Sequence, residues 1–327
     1  MQTASPDACD CPGAAPVRGL QSKRSRARLD SAGRLCRLDR RRQLHHFCGV
    51  LSEAHTEYEL DGLSGFTLWH YCETGSGRPL ILLHGIGMSH AVWNAVTPYL
   101  RSTRRVIAFD IAGFGLTPPL PKGVAPSIPN LVDDLERSIH EIGIKPPVDI
   151  AGNSLGGCMA LEAARRGMAR SVVAISPTGL WRKHEPPRVK YIFRALRFVA
   201  TKFPTLLKAA LRSSVLRELA LAVPISVGSR SIPVDDAIRA VDDLAGSPAF
   251  EDTFHNTRLP FLGDDIAVPV TVVFGDRDWI LTKSARRRTR LPAHTRWVEA
   301  HGWGHVPMWM DPIGVSQLIL EVTAARI

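Results

Sequence analysis

The sequence predicts an α/β fold in which a mostly parallel sheet is flanked by helices and carries a helical cap insertion. Three observations favour it: short continuous apolar runs, helical patterns between those runs, and a long late stretch without a buried strand. Strands buried on both faces are continuously apolar, and their alternation with helices is typical of a parallel sheet. We therefore expect an α/β core over residues 51–180 and 261–327, and a helical cap over residues 181–260.

Residues 1–50 differ in composition from the rest of the chain. They contain ten Arg and Lys residues and four Asp residues, whereas the formal charge of the whole chain is +10. Because Pro, Gly and Arg occur there without hydrophobic periodicity, we expect a disordered basic arm. No aromatic residues lie among the basic ones to stack on bases, and no nucleic-acid-binding motif follows. A nucleic-acid partner is therefore not expected.

Composition also bears on location and cofactors. No apolar run approaches the roughly 18 residues of a membrane-spanning helix, and the N-terminus lacks the apolar core of a secretory signal. We therefore expect a cytoplasmic protein with reduced thiols. The spacing of Cys36, His45, His46 and Cys48 matches no zinc pattern, so no metal is expected. The sequence does not indicate an oligomeric state.

The predicted strands follow one another along the chain. Residues 65–73 alternate apolar and polar side chains, which is typical of an early antiparallel strand. The later runs are continuous and indicate strands buried on both faces. These runs are PLILLHG (79–85), RVIAFD (105–110), VDIAGN (148–153), SVVAIS (171–176) and PVTVVFG (269–275).

Helical patterns separate these strands. Residues 131–143 place apolar side chains on one helical face, and the Ala-rich residues 158–167 end at a glycine, as helices often do. Residues 312–324 predict a last helix. Between residues 181 and 260 the patterns are helical and include no convincing buried strand.

The first part of the predicted cap is amphipathic. Residues 181–218 contain ten Arg and Lys residues and two Glu residues. We expect the apolar stripe of this segment to cover the active site and to favour a substrate with an apolar acyl chain. An anionic membrane surface is a second, less favoured contact for its basic face. The stripe comprises Ile192, Phe193, Leu196, Val199 and Phe203.

A serine between glycines marks the predicted nucleophile. Residues 152–156 read Gly-Asn-Ser-Leu-Gly and lie between a buried strand and an Ala-rich helix. A serine at such a sharp turn adopts a strained backbone, and the turn closes only if Gly152 and Gly156 present no side chain. The Ser154 hydroxyl would then be exposed at a helix N-terminus, where developing negative charge is favoured.

A nucleophilic serine requires a base and an acid that orients the base. His305 follows a predicted last strand, and His301 competes with it four residues earlier. The strand that ends at residue 275 is followed by two candidate acids, Asp276 and Asp278. The order serine, aspartate, histidine is the one expected for this architecture.

The run LLHGIGMSH (82–90) supplies the last part of the predicted site. His84 and Gly85 form a turn after an early strand, and this turn leaves the Ile86 N–H free. Together with the Leu155 N–H it would bind the oxyanion of a tetrahedral intermediate.

These motifs together resemble the α/β-hydrolase fold superfamily over roughly residues 55–327. The resemblance identifies Asp278 as the acid that orients His305, and it matches residues 181–260 to the family's helical cap. Thr117 stands where the family motif has serine. The motifs are HGIG (84–87), DIAGFGLT (110–117), GNSLGG (152–157), FGDRD (274–278) and GWGHVPMWMDP (302–312).

Within that family, the serine at the elbow argues against the epoxide hydrolases and haloalkane dehalogenases, which use aspartate there. The resemblance implies a serine hydrolase that cleaves a carboxylic ester or thioester of a small molecule and needs no cofactor. The GNSLGG elbow also resembles meta-cleavage-product C–C hydrolases, although Val306 departs from their Gly-His-Trp ending. A non-catalytic, partner-binding member of the fold is the third alternative.

Overall fold

A computed structural model describes residues 67–222, 225 and 228–324, together with the backbone of Phe47 and Cys48. Contacts divide the chain into Met1–His46 and Phe47–Ile327, and the first of these units lies outside the described residues. The predicted basic arm over residues 1–50 is therefore not described, apart from the backbone of that short strand.

The described strands form one sheet in the order β1-β2-β4-β3-β5-β6-β7-β8. β1 and β2 pair antiparallel and β2 is antiparallel to β4, whereas all pairings from β4 to β8 are parallel. The predicted mostly parallel α/β fold is thus confirmed. The strands are β1 (Phe47–Cys48), β2 (Tyr71–Gly75), β3 (Arg78–Leu83), β4 (Arg104–Phe109), β5 (Val148–Asn153), β6 (Ala169–Ile175), β7 (Val270–Gly275) and β8 (Arg296–Ala300).

Both faces of the sheet are buried, which explains the continuous apolar runs. Along β3, Ile81 and Leu83 belong to one core cluster, whereas Leu80 and Leu82 belong to the other. The first cluster includes residues of α2 and α3, and the second includes residues of α1 and α9. These helices are α1 (Thr97–Leu100), α2 (Ile128–Glu141), α3 (Leu155–Arg165) and α9 (Pro312–Ala324).

The antiparallel strand expected over residues 65–73 begins only at Tyr71. Trp69, two residues before it, bonds to α2, whereas the His70 carbonyl still accepts the Asp110 N–H, next to β4, at 2.8 Å. The indole N–H of Trp69 donates to Asp134 Oδ2 at 2.6 Å, and the Trp69 backbone N–H donates to Ser138 Oγ at 3.2 Å. Side-chain acceptors on α2 thus replace the strand ladder at this point.

Five α-helices lie between β6 and β7 in the described part of the chain, where the sequence predicts helices. They are α4 (Pro187–Lys202), α5 (Pro204–Leu211), α6 (Ser214–Leu221), α7 (Val234–Gly246) and α8 (Phe250–Asn256). We call residues 181–260 the helical insertion. None of the helices that the structure describes is long and apolar enough to cross a membrane.

The apolar stripe predicted on the insertion is divided between two environments. The Phe193 ring lies 6.5 Å from that of Phe250 and 6.0 Å from that of Phe254, so this end of α4 packs inward. Val199 and Phe203 are exposed. Phe203 follows the last residue of α4 and has a non-helical backbone (φ −131°). Its side chain therefore does not continue the helical face that carries the stripe. The expectation of a single inward stripe is therefore wrong for these two residues.

Candidate active site

The predicted elbow lies between β5 and α3. Ser154 has φ +54°, in the left-handed region that residues other than glycine rarely adopt. A Cβ on Gly152 would overlap the Gly156 carbonyl, and a Cβ on Gly156 would overlap the Leu83 carbonyl. The two glycines are therefore required because backbone atoms approach where a side chain would begin.

Hydrogen bonds hold the elbow to the sheet. The Ser154 N–H donates to the Ile175 carbonyl at 2.9 Å, and the Ser154 carbonyl accepts from the Cys158 and Thr178 N–H groups at 3.1 and 3.2 Å. These bonds fix a strained residue from both sides. The strain at Ser154 is thus maintained by the surrounding structure.

Three predicted side chains form a hydrogen-bonded chain at the ends of the parallel strands. His305 Nε2 lies 3.1 Å from Ser154 Oγ, and His305 Nδ1 lies 3.1 Å from Asp278 Oδ2. All three residues are buried. The sequence separates them by as many as 151 positions, and the sheet brings them together because each follows a strand of the same parallel set.

Asp278 is held as an anion. Burial raises the pKa of its carboxyl, but the His305 charge, the His305 hydrogen bond and the Leu281 N–H outweigh burial and leave that pKa below its ordinary value. Asp278 Oδ1 accepts the Ile280 and Leu281 N–H groups at 3.0 and 2.9 Å. An ionised Asp278 requires the proton of neutral His305 on Nδ1, which leaves Nε2 as an acceptor facing the Ser154 hydroxyl.

The alternative acid and base contact each other. Asp276 Oδ2 lies 2.7 Å from His301 Nδ1, and Asp276 Oδ1 accepts the Gly302 N–H at 2.8 Å. The His301 side chain is exposed to solvent. The structure therefore places Asp278 and His305 with Ser154, and it places Asp276 and His301 on the surface.

The loop that carries His305 is fixed by a residue that the sequence analysis did not single out. Asn153 Nδ2 donates to the His305 carbonyl at 2.9 Å and to the Ile175 carbonyl at 3.2 Å. On the other side, the His305 N–H donates to the Ile225 carbonyl, in the helical insertion, at 2.8 Å. The available sequence signal for Asn153 was a polar residue at the end of an apolar run, directly before the elbow serine.

The loop predicted to bind an oxyanion packs against the elbow. The Gly156 N–H donates to the His84 carbonyl at 3.1 Å, and a Cβ on Gly85 would lie 3.3 Å from Ser154 Cβ. Within the described residues, the N–H groups of Ile86 and Leu155 donate to no protein acceptor. Both predicted donors are therefore available beside the elbow.

His84 orients one of these peptides. Its Nε2 accepts the Ile111 N–H at 2.9 Å, so its proton lies on Nδ1, which donates to the Gly85 carbonyl at 2.7 Å. Burial lowers the pKa of His84 to about 4, so the ring stays neutral. Because a peptide is planar, the Gly85 carbonyl that faces His84 directs the Ile86 N–H to the opposite side.

With this geometry established, comparison with known proteins gives the family. The family described as alpha/beta hydrolase fold matches residues 78–312. The chain belongs to the α/β-hydrolase family. The resemblance stated from the motifs is thereby confirmed.

Relatives of this hydrolase have several named activities. It is 36% identical over 197 residues to epoxide hydrolase EphH of Mycobacterium tuberculosis, covering 58% of this chain and 91% of that protein. It is 33% identical over 109 residues to the pimeloyl-[acyl-carrier protein] methyl ester esterase of Legionella pneumophila strain Paris, covering 33% of this chain but only 41% of the esterase.

A solved meta-cleavage product hydrolase, CumD of Pseudomonas fluorescens IP01, has the same fold. Its TM-score is 0.60 at 20% sequence identity, covering 78% of this chain and 93% of CumD. These similarities show a hydrolase family in which the bond that is cleaved varies.

A second polar cluster of the hydrolase surrounds Asp110. His70 Nδ1 lies 2.9 Å from Asp110 Oδ2, and His90 Nδ1 lies 2.9 Å from Asp110 Oδ1. The same carboxylate accepts the His90 and Leu116 N–H groups at 2.6 and 3.0 Å. Burial raises the pKa of Asp110, but the bonds from the two imidazoles outweigh it and lower that pKa. These three side chains have the composition of a metal site. A cation bound there would have to replace the hydrogen bonds that the two imidazole rings make to Asp110.

Proposed function

We propose that this α/β hydrolase cleaves a carboxylic ester or thioester through an acyl-enzyme on Ser154. The observation that carries the proposal is the buried chain Ser154–His305–Asp278, with hydrogen-bond distances of 3.1 Å at both contacts. A strained serine with an adjacent, oriented base is the arrangement that activates a hydroxyl nucleophile.

In the first step, His305 Nε2 takes the Ser154 proton while Oγ attacks the substrate carbonyl carbon. The carbonyl oxygen becomes an oxyanion that accepts from the Ile86 and Leu155 N–H groups, and each such donor contributes about 3–4 kcal/mol to transition-state stabilisation. The protonated His305 then donates to the departing alcohol or thiol as the tetrahedral intermediate collapses. Asp278 stabilises the imidazolium that exists between these steps.

In the second step, water repeats the sequence on the acyl-enzyme. His305 Nε2 takes a proton from the water, the hydroxide attacks the acyl carbonyl, and Ser154 Oγ leaves with the proton that His305 returns. The products are a carboxylic acid and the free enzyme. Both steps use only groups of this chain, the substrate and water.

The helical insertion acts as a lid over this chemistry. Ser154, Asp278 and His305 are only 2%, 2% and 3% exposed, so substrate entry requires part of the covering structure to move. Residues 51–180 and 261–327 form the catalytic core of the proposal, and residues 181–260 form its lid. The backbone bond from His305 to Ile225 links the base to this lid.

Apolar side chains of the lid lie next to the oxyanion loop. A Cβ on Gly87 would lie 2.6 Å from Leu244 Cδ1 and 3.4 Å from the Phe250 ring. An acyl chain that extends from a carbonyl bound at Ile86 would meet such groups. This environment favours an apolar acyl chain over a charged one.

Epoxide opening does not suit a serine at the elbow. Attack of Ser154 Oγ on an epoxide carbon would form an alkyl ether, which has no carbonyl for water to attack, so the enzyme would stop after one turnover. A carboxylate nucleophile avoids this because it forms an ester. The similarity to EphH therefore supports the hydrolase fold and not this substrate.

Carbon–carbon bond hydrolysis is the second candidate, because it would use the same serine, base and oxyanion donors. The GNSLGG elbow favours it, whereas Val306 does not match the family ending expected for it. An assay with a vinylogous 1,5-diketone acid beside p-nitrophenyl esters distinguishes the two reactions. Turnover of the diketone with weaker ester hydrolysis would replace the ester proposal.

Covalent labelling tests the nucleophile directly. We expect a fluorophosphonate probe to label the wild-type protein at Ser154, and the Ser154→Ala variant to remain unlabelled while folding normally. Ser102 is exposed and distant in sequence from the elbow, so Ser102→Ala is the matched control and should label fully. Labelling of Ser154→Ala, or none of the wild type, would contradict the proposal. A panel of acetyl to octanoyl esters then tests acyl preference.

A further inference from the structure

Helices α4–α6 expose an unusual share of apolar side chains. More than half of the large apolar residues that are exposed in the described part of the chain lie in this short segment. They are Tyr191, Phe198, Val199, Phe203, Leu206, Val215, Leu216 and Leu219. Exposed apolar groups that are concentrated in this way mark an interaction surface, whereas scattered ones do not.

Four of these side chains follow one another along α4 and the start of α5. Tyr191 and Phe198 are seven residues apart and share one face of α4. The Phe198 ring contacts the Phe203 ring at 6.2 Å, and Leu206 lies one turn further along, on α5. We call Tyr191, Phe198, Phe203 and Leu206 the α4–α5 strip.

The strip faces away from the rest of the insertion. On the other side of α4, Phe193 packs against Phe250 and Phe254. Arg197 donates to the Leu244 and Ser247 carbonyls at 2.8 and 3.0 Å. The inner face of α4 is thus already occupied, and the strip is the face left to an external partner.

The charges around the strip select the partner. Arg194 and Lys202 lie on the same face of α4 as Tyr191 and Phe198, and both are exposed. Arg194 also lies 3.4 Å from the exposed Glu251 carboxylate, a surface pair that is weak in water and can be exchanged for a lipid phosphate. Residues 181–218 contain ten basic residues and two acidic ones, and the carboxylate of one acid, Glu218, accepts the Gly228 and Arg230 N–H groups at 2.7 and 2.8 Å. A second copy of the chain would bring like charges together, whereas an anionic surface would complement them.

We propose that the α4–α5 strip docks on an anionic lipid bilayer. The aromatic and leucine side chains enter the boundary of the acyl chains, and Arg194 and Lys202 lie at the level of the lipid phosphates. An amphipathic helix with this combination binds in the plane of a membrane without crossing it. The proposal does not depend on which bond the enzyme cleaves.

Sedimentation of the full chain with phosphatidylglycerol vesicles tests the apolar contribution. The double variant Phe198→Ser/Leu206→Ser should lower the partition coefficient at least about tenfold. The matched control Leu259→Ser/Leu262→Ser removes two equally exposed apolar residues elsewhere and should change partition less than about twofold. The basic arm is identical in both variants, so its own affinity for vesicles does not alter the comparison. Equal partition of the two variants would overturn the proposal.

A second pair of variants tests the charges and keeps the proposal independent of the apolar substitutions. Arg194→Glu/Lys202→Glu should weaken binding to phosphatidylglycerol vesicles at least about tenfold. Lys122→Glu/Lys283→Glu makes the same change in charge at exposed residues outside the insertion, and it should have a clearly smaller effect. Equal losses in both pairs would mean that net charge alone drives adsorption.

Self-association is the remaining alternative occupant. Sedimentation equilibrium of the wild type and of Phe198→Ser/Leu206→Ser, without lipid, should give the same mass. A wild-type dimer that this variant dissociates would assign the strip to a second copy of the chain and overturn the lipid proposal. Thermal melting should change little in all variants, because every substituted side chain is exposed and its contacts lie at the surface.

Discussion

Two aspartate–histidine pairs lie at the same edge of the sheet, and the main difference between them is their exposure to solvent. Asp278 meets His305 at 3.1 Å and Asp276 meets His301 at 2.7 Å, with each aspartate in the loop after β7 and each histidine in the loop after β8. The His305 side chain is 4% exposed, whereas that of His301 is 91% exposed.

The comparison separates contact distance from function. In water a carboxylate–imidazole contact of this kind is screened and contributes little, even when its atoms are closer. Inside the protein the same kind of contact lies at a lower effective dielectric constant, which strengthens it. A short distance therefore does not identify a catalytic pair, whereas burial beside a strained hydroxyl does.

Replacing each histidine in turn by alanine should give the largest difference in activity between the two pairs. We expect His305→Ala to lower kcat at least about 10⁴-fold in ester hydrolysis, because Ser154 loses its base. His301→Ala should stay within about twofold of the wild type. The measurement is steady-state hydrolysis of the best p-nitrophenyl ester. Comparable losses in both variants would mean that the exposed pair also takes part in catalysis.

The two aspartates should differ in the same direction and somewhat less. Asp278→Asn preserves the shape of the site but no longer fixes the His305 proton on Nδ1, so we expect kcat to fall about a thousandfold. Asp276→Asn should remain near wild type, since it removes only a screened surface partner. A larger loss at Asp276 would reverse the assignment of the acid.

The smallest expected difference between the two pairs is in the pH dependence of the free energy of unfolding. The pKa of Asp278 is lowered in the folded protein, because the charge and hydrogen bonds of its partners outweigh burial. A carboxyl of this kind stabilises the fold above its unfolded pKa, and that stability is lost as the pH falls through the folded pKa.

Asp278→Asn should therefore reduce the fall in the free energy of unfolding between about pH 5 and pH 2. The Gly302 N–H and His301 also lower the pKa of Asp276. Because this interaction lies at the surface and is screened, Asp276→Asn should still follow the wild-type curve closely. Urea unfolding followed by circular dichroism measures both. If the two variants have parallel curves, burial does not distinguish the two carboxylates.

Local sequence was sufficient for the elbow and for most of the sheet. The continuous apolar runs predict strands because Leu80 and Ile81 enter opposite cores, so neither face of β3 requires polar residues. The turn at Ser154 is predictable because the required glycines are only two residues away on either side. Information about these features lies within a few positions of the feature itself.

Features that depend on residues distant in the sequence could not be predicted from local sequence. The sequence places Asp276 and Asp278 in equivalent positions, and only the fold of the loop directs one inward. Trp69 leaves the strand because Asp134, 65 positions later, accepts its indole N–H. The outward turn of Phe203 depends on where α4 ends, which no hydrophobic periodicity specifies.

The elbow also bears on how enzymes of this kind diversify. The turn leaves no space for a side chain at Gly152 and Gly156, where even one added carbon would overlap the backbone. Position 154, in contrast, carries the reactive atom. The codon that determines the nucleophile is thus separate from the codons that preserve the turn. The reactive group can therefore change at position 154 while the architecture that presents it is inherited unchanged. This separation gives a physical reason why a protein named for epoxides and proteins named for esters can both occur among relatives of this chain.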